Sequence, residues 1–378
     1  MPGKAFTNAC IDCQDAEAIA TVRTRPLCRD CFLRYANLKA LRRMEKYRLM
    51  RHAPKDRQRK LLLPLSYGVS SSVLLHMLDG QLERQRAGSQ GRAAYDLYVL
   101  VVEPSTISPT SPSCEARFDS VKKYYPMHTY TTVPFHSIFQ YDPDIKDTMC
   151  QFAGPGFVDD EAKSDHDRLE AFRASIPTAT SKEDIDNILL TRLIVACAKY
   201  YDCEGVIWGD SDSRLAAKTL ASVAKGRGAS LTWQVCDGIS PWGVEFSFPL
   251  RDLYKSELQL YASQVPSLEE IVIPEQPIPE NLSNRDLSID QLMKHYIQTQ
   301  GEKYPGVMAN VVRTVNKLQR APITADQARC ALCAASLEAV GGATANGSAD
   351  GTSSEAPQAR FCYGCARSGQ ELVNRHNI

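Results

Sequence analysis

The stretch 61-LLLPLSYGVSSSVLLHML-78 decides how the rest of the chain is read. An apolar run ends in Ser66-Tyr67-Gly68, small polar residues follow, and Leu74, Leu75, Leu78 and Leu82 then mark one face of a helix. Strand, loop and helix in that order let loop amides and a helix N-terminus cradle a phosphate. The loop has a single glycine, however, and Tyr67 stands where a small residue is expected.

Outward from this stretch the pattern stays α/β. AYDLYVLVVEP (94–104) reads as a second strand and HTYTTVPF (128–135) as a third. Residues 104–115 and 137–167, rich in Ser, Pro, Gly and Asp, read as long loops. A helix is expected over 182–201, opened by a capping box from Thr180 to Glu183, with Ile185, Leu189, Leu193 and Ala196 at helical spacing. GVIWGD (205–210) reads as a strand and SRLAAKTLASVAK (213–225) as a helix. Alternating strands and helices imply a doubly wound parallel sheet with helices on both faces. Ligands of such sheets sit beyond the carboxyl ends of the strands, where the loops 66–72 and 209–214 both fall.

The 378 residues carry 44 Lys plus Arg and 44 Asp plus Glu, so net charge points to no partner. Its distribution is more informative. Residues 39–60, KALRRMEKYRLMRHAPKDRQRK, hold ten cations against two acids, a solvated helix face or a phosphate-backbone surface. No segment approaches the ~18 consecutive apolar residues that span a membrane. The start, MPGKAFTNACIDCQ, lacks the apolar core of a signal peptide. A cytoplasmic chain is expected, with its thirteen cysteines mostly reduced.

Eight of those cysteines form four CxxC pairs. Cys10-x2-Cys13-x14-Cys28-x2-Cys31 has the spacing of a zinc knuckle that staples a segment too small to fold alone. Cys330-x2-Cys333 and Cys362-x2-Cys365 repeat the local form across 28 residues. Most of that gap is low-complexity sequence, GGATANGSADGTSSEAPQ (341–358), expected to be a disordered insert that adds little closure entropy. Structural zinc is expected at both ends of the chain. Spacing leaves open cross-pairing between the ends and an iron–sulfur cluster in place of zinc. The expected domains are a zinc module at 1–38, a basic helical segment at 39–60, an α/β domain at 61–270, and a helical region at 271–378 with the second zinc module.

Taken together, the cysteine-rich start, basic helix, SGGxDS-like loop, later GxxxDD-like element and terminal cysteine module resemble the tRNA-thiolating branch of the PP-loop ATP pyrophosphatases. These belong to the adenine nucleotide alpha-hydrolase-like superfamily. The stretches 208-WGDSDSRLAAKTLASVAKGRGASLTW-233 and 249-PLRDLYKSEL-258 are similar to the companion of the catalytic thiolase subunit. The resemblance spans nearly the whole chain. It implies chemistry in which ATP adenylates C2 of the wobble uridine and sulfur then displaces AMP, with loop glycines at the phosphates, carboxylates on magnesium and a cysteine carrying sulfur.

Against that pattern the departures are coordinated. Ser66, Gly68 and Ser71 match the small and hydroxyl positions, but Tyr67 replaces a glycine and Ser70 takes the place of the loop aspartate. Tyr67 would crowd the phosphate path unless its ring points away. Gly209 matches, whereas Ser213 and Arg214 stand where paired acids belong, leaving Asp210 and Asp212 as shifted metal ligands. The CxxC that precedes the long helix in active relatives is replaced by IPTATSKEDI. Of the five remaining cysteines, Cys197 and Cys203 read as small buried thiols, and Cys114, Cys150 and Cys236 lie in or near loops. Cys150 and Cys236 are the candidate sulfur carriers.

What the resemblance implies is therefore a non-catalytic subunit, whose departures from the pattern count against ATP and magnesium in this chain while leaving ATP binding open. It would form a heterodimer with the catalytic PP-loop thiolase and help bind tRNA. The complex would thiolate U34 of Lys, Glu and Gln tRNAs with sulfur from the thiocarboxylated ubiquitin-related modifier. Expected tRNA contacts are Arg42, Arg43, Lys46, Arg48 and Arg51 in the basic segment, and Lys218, Lys225 and Arg227 near the ligand face. The alternatives are an active ATP-dependent thiolating enzyme with an altered loop, and a structural zinc protein without RNA contact.

Overall fold

The computed structural model describes residues 8–49, 58–108, 111, 113–155, 157–275, 287–301, 303–318, 327–337 and 360–374. Arg51 and the rest of 50–57, and the whole expected insert at 341–358, lie outside the described residues.

A two-stranded hairpin, β1 (Ala20–Val22) and β2 (Arg25–Leu27), belongs to the N-terminal cysteine module. The main sheet has six strands: β3 (Lys60–Pro64), β4 (Asp96–Val102), β5 (Thr129–Val133), β6 (Gly205–Ile207), β7 (Gly238–Ile239) and β8 (Glu245–Ser247). Their spatial order is β5-β4-β3-β6-β8-β7, parallel throughout except for the antiparallel edge strand β7. The expected α/β doubly wound sheet is present.

Why β3 is central is plain from its residues. Leu61, Leu62 and Leu63 are all fully buried, and alternate side chains feed two different cores. Leu62 joins the core packed under the helices Asp165–Ser175, Ala179–Tyr200 and Asp212–Ala224. Leu61 and Leu63 join the opposite core, under the helices Arg29–Arg43, Val69–Gly88 and Lys255–Ser263. The chain runs outward from β3 through β4 to β5, then returns to β6 on the other side. That reversal between β3 and β6 opens a crevice at their carboxyl ends, the usual ligand position in open α/β sheets.

Three expectations need correction. The segments 104–115 and 137–167 are not simple loops: they contain the helices Pro104–Ile107, Ile138–Tyr141 and Ile145–Ala153. Their Asp-, Pro- and Gly-rich composition hid the apolar spacing of Ile145, Met149 and Phe152, all buried. The long helix starts at Ala179, and its cap is Thr178, whose side chain accepts from Ser181 N–H. Thr180 and Glu183 instead grip a distant segment: Thr180 Oγ1 accepts from Ile289 N–H, and Glu183 accepts from Lys294 and Ser288. Finally, among the described residues of the basic segment only its start is helical, because the helix from Arg29 ends at Arg43 and a short 3-10 turn covers Glu45–Tyr47.

The residues after 270 build no core of their own. The helices Ile289–Gly301 and Pro305–Val315 lie on the Asp212–Ala224 helix, and Ile297, Met308, Val312 and Val315 are part of the same core as β3.

Candidate functional site

The loop after β3 lines an open chamber at the carboxyl end of the sheet, and its one large side chain, Tyr67, is not part of that lining. Tyr67 has φ of 57°, the left-handed region that disfavours a residue with a Cβ. Its ring is 0% exposed and points away from the crevice into the core beneath the Val69–Gly88 helix. Its carbonyl accepts from Ile273 N–H at 2.8 Å, which ties a later segment across the loop. Ser71 Oγ donates to Gly68 O at 3.1 Å and lies 3.2 Å from Ser66 Oγ, so the loop hydroxyls satisfy one another. The Tyr67 hydroxyl is buried with no partner among the described residues. Tyr67→Phe is therefore expected to raise stability by about 1 kcal/mol, because a buried polar atom without a partner costs about 1–3 kcal/mol. Urea unfolding checks this; a loss of stability would mean that the hydroxyl has a partner.

The loop after β6 packs directly on this turn. A Cβ on Gly209 would sit 2.7 Å from Ser71 Cα, so glycine is required by close approach of the two loops. Asp210 accepts from Lys218 at 2.5 Å and pairs with Arg214 at 3.8 Å. Ser213 Oγ accepts from Lys255 N–H. Asp212 does not join Asp210: it lies outside the residues lining the crevice, in the field of Arg23, Asp252 and Arg313. The two carboxylates thus do not converge as a metal pair.

Asp212 is 3% exposed, and burial pushes its carboxyl up to about 7. The folded value exceeds the unfolded one, so its contribution to stability is full below about pH 4 and is lost as pH rises toward 7. Asp212→Asn is expected to stabilise the chain by roughly 2 kcal/mol at pH 8, about half the full linkage value, and by little at pH 4. Thermal melts at the two pH values test it; an equal shift at both would contradict the linkage.

Three cations missed by motif reading converge beside the loop. Arg214, Lys255 and Lys294 line a chamber of about 810 Å³ together with Ser66, Gly68, Ser70 and Ser71. Burial, Arg214 and Lys294 lower the pKa of Lys255, and burial, with Arg214, lowers that of Lys294. Lys255 pairs with Glu275, and Lys294 with Glu183 at 3.2 Å. Lys255 sits inside 249-PLRDLYKSEL-258, so a signal existed for it. Lys294 comes from a helix with no motif.

The Lys225-Gly-Arg-Gly228 turn has a different role from the one expected. Lys225 and Arg227 are 8% and 3% exposed, and both hold Asp184, Lys225 at 2.8 Å and Arg227 at 2.5 Å. Lys225 also pairs with Asp290 at 2.7 Å. Arg227 Nη1 donates to Cys365 Sγ at 3.3 Å. Gly226, with φ of +74°, lies under the Tyr363 ring, which a Cβ would meet at 2.6 Å. These two cations are consumed by packing of the C-terminal module and are withdrawn as RNA contacts. Lys218 is held by Asp210, Arg43 by Asp252 at 2.7 Å, and Lys46 by Glu245. Arg42 is exposed, and Arg48 makes a 3.9 Å contact with Glu45 at the surface.

Both cysteine clusters form, each within its own end of the chain. Cys10, Cys13, Cys28 and Cys31 bring their sulfurs within 4.8 Å of one another, as do Cys330, Cys333, Cys362 and Cys365. Cross-pairing between the ends is excluded. The Cys13–Cys28 and Cys333–Cys362 sulfur separations are 3.7 and 3.5 Å. A tetrahedron with ~2.3 Å metal–sulfur bonds has edges of about 3.8 Å, so the donor set fits one ion at each end. A cluster would spread the four sulfurs over several irons. The sites flank opposite faces of the sheet, the first in the core with Leu61 and the second in the core with Leu62.

Of the two candidate sulfur carriers, Cys236 is buried and Cys150 half-buried. Burial pushes Cys197 up to about 12 and Cys203 up to about 11, and it also raises Cys114 and Cys150. Thr178 and Ser181 occupy the start of the long helix, without a thiol.

A family model for cytoplasmic tRNA 2-thiolation protein 2 matches residues 288–348. A protein of that name from Aspergillus clavatus is 55% identical over 98% of this chain and 100% of its own length. The chain belongs to the cytoplasmic tRNA 2-thiolation protein 2 family. The Neosartorya fischeri member is likewise 55% identical, over 99% of this chain and all of its own length. Among solved structures, the U34-tRNA thiolase NcsA from Methanococcus maripaludis with its 4Fe-4S cluster has TM-score 0.55 at 15% identity, over 88% of this chain and 93% of that one. This chain therefore shares the fold of that thiolase, while its own first loop carries Tyr67 and its second loop a paired Asp210.

Proposed function

We propose that this chain is the non-catalytic subunit of the cytoplasmic U34 tRNA 2-thiolation machinery. It pairs with a catalytic PP-loop thiolase as a heterodimer and helps hold the Lys, Glu and Gln tRNAs. Sulfur reaches the complex from the thiocarboxylated ubiquitin-related modifier. The observation that carries the reading is the altered lining of the crevice: the fold resembles that of a thiolase, but Asp210 is paired with Lys218 and Arg214 and the long helix begins without a thiol. The names of the relatives support the process and the compartment. No described helix is long and apolar enough to cross a membrane.

The two four-cysteine sites are read as zinc, which thiolate donors in a tetrahedral set favour and which supplies folding energy rather than redox chemistry. The remaining surface cations Arg42 and Arg48, with Arg51, are the tRNA-contact candidates of the basic segment. Lys218 keeps a half-exposed ammonium at the crevice.

Reconstitution tests the reading. With both subunits, tRNA and sulfur donor present, U34 thiolation is expected; omission of this chain should abolish it. Normal thiolation without this chain would overturn the proposal. The second reading, an active enzyme, is favoured by Arg214, Lys255 and Lys294 around the loop. It requires pyrophosphate release by this chain alone, lost on Gly68→Val.

A further inference from the structure

All three tryptophans of the chain line one cavity. It measures about 250 Å³ and lies between the helices Ala179–Tyr200 and Asp212–Ala224, beside the loop chamber. Trp233 and Trp242 meet edge to face at 5.0 Å, and Trp208 packs on Phe246 in the same way at 5.3 Å. The Trp208 indole N–H is buried and has no acceptor among the described residues. Asn187, exposed at the rim, and Gln234 add amide groups to the lining.

Charge in the lining is nearly balanced, with Arg214, Lys218, Lys225, Arg227 and Lys294 against four acids. Glu183, Asp184, Asp210 and Asp290 are each paired with a lysine or arginine, so the cavity does not select a free cation or a free anion. A neutral, planar, hydrogen-bonding group suits aromatic faces with amides at the edge. The cavity and the loop chamber share Ser66, Ser71, Gly209, Arg214 and Lys294. A group seated among the tryptophans would thus have cations within reach of an attached phosphate. Packing on Phe246, which all three tryptophans share, does not account for the open space they line or for the buried Trp208 N–H without an acceptor.

We infer that this cavity receives one unstacked nucleobase of a bound RNA, its flanking phosphate turned toward Arg214 and Lys294. The inference rests on the tRNA-binding reading above. Aromatic stacking of flipped-out bases is the common means by which proteins read single-stranded RNA loops. An anticodon loop offers such bases.

Because every tryptophan lines the cavity, intrinsic emission reports on it without a label. The full chain is titrated with an anticodon stem-loop RNA bearing uridine at the wobble position, with the same RNA abasic there, and with ATP. Fluorescence anisotropy of end-labelled RNA gives binding independently of quenching. The uridine RNA is expected to quench emission and to bind roughly tenfold more tightly than the abasic RNA, as loss of one base–aromatic stack predicts. Trp242→Ala, at the half-buried edge, should remove that difference while leaving the abasic RNA's affinity unchanged. Equal binding and equal quenching by the two RNAs overturn the inference and leave tRNA binding intact. Binding of neither RNA overturns the tRNA-binding reading and this inference with it. Quenching by ATP with no difference between the RNAs assigns the cavity to a mononucleotide and overturns the RNA assignment.

Discussion

Arg227→Met is expected to lower the stability of the folded chain by about 3–5 kcal/mol, the cost of stranding a buried charge. The side chain it replaces is 3% exposed, donates to both oxygens of Asp184, and donates to Cys365 Sγ. Burial opposes the guanidinium charge, but the Cys365 sulfur and the Asp184 carboxylate more than offset it and raise the Arg227 pKa above the ordinary arginine value. With methionine in place, Asp184 keeps only Lys225 and the Ser368 hydroxyl, and the C-terminal cysteine site loses a hydrogen bond to one of its sulfurs. Outer-shell losses of this kind lower metal affinity by about 10–100-fold. Chelator competition on the purified chain, with urea unfolding, reads both effects. The double variant Asp184→Asn with Arg227→Met should recover part of the stability, because the stranded charge goes too. An Arg227→Met protein with unchanged metal affinity and stability, but weaker salt-dependent RNA binding, would restore the original assignment of this residue as a phosphate contact.

Arg227 also shows where sequence reading stops. Lys225-Gly-Arg-Gly228 has the composition of a phosphate-binding turn, and nothing local distinguishes it from a packing device. The distinction lies in Asp184 and Cys365, 43 and 138 residues away. Elements whose signal is local were legible: the Leu61–Leu63 strand, the helix after Gly68, the four CxxC pairs and the sheet class. Pairing of the cysteines within each end was left open by spacing, and chain geometry settles it. Tyr67 was visible as an anomaly, but its direction was not, because a left-handed backbone at that position turns the side chain into the core instead of toward the crevice. The short helix Ile145–Ala153 was lost because its polar and glycine-rich flanks outweighed three buried apolar residues. Lys294 could not have been found at all, since its place beside the loop is set by the packing of the Ile289–Gly301 helix on the Asp212–Ala224 helix.

The same logic makes the N-terminal cysteine site the point of largest expected effect. Residues 8–28 contain few buried apolar side chains of their own, chiefly Val22 and Leu27, besides the buried sulfurs of Cys10 and Cys28. So small a core cannot hold a hairpin with two left-handed residues, Arg23 and Thr24, in its turn. On the zinc reading proposed above, the metal does it: structural zinc sites are worth about 10–16 kcal/mol in isolated zinc-finger peptides. Cys10→Ser, or chelation, is expected to unfold residues 8–28 and to free the start of the Arg29–Arg43 helix. It would also break the docking bonds from Arg23 to Asp252 O and from Arg29 to Gln264 O. The α/β body should persist, because Phe32, Ala36 and Ala40 pack on it and residues 8–28 add only Cys10, Val22, Leu27 and Cys28 to one of its two cores. For Cys10→Ser, metal analysis should show one equivalent lost from two, and brief trypsin digestion should cut at Arg23 and Arg29 while sparing the sheet. Cys197→Ser, a buried thiol outside both sites, is the control and should retain both metals. Trypsin resistance of the metal-depleted hairpin would show that packing against Tyr254 and Asp252, rather than the ion, holds the module in place.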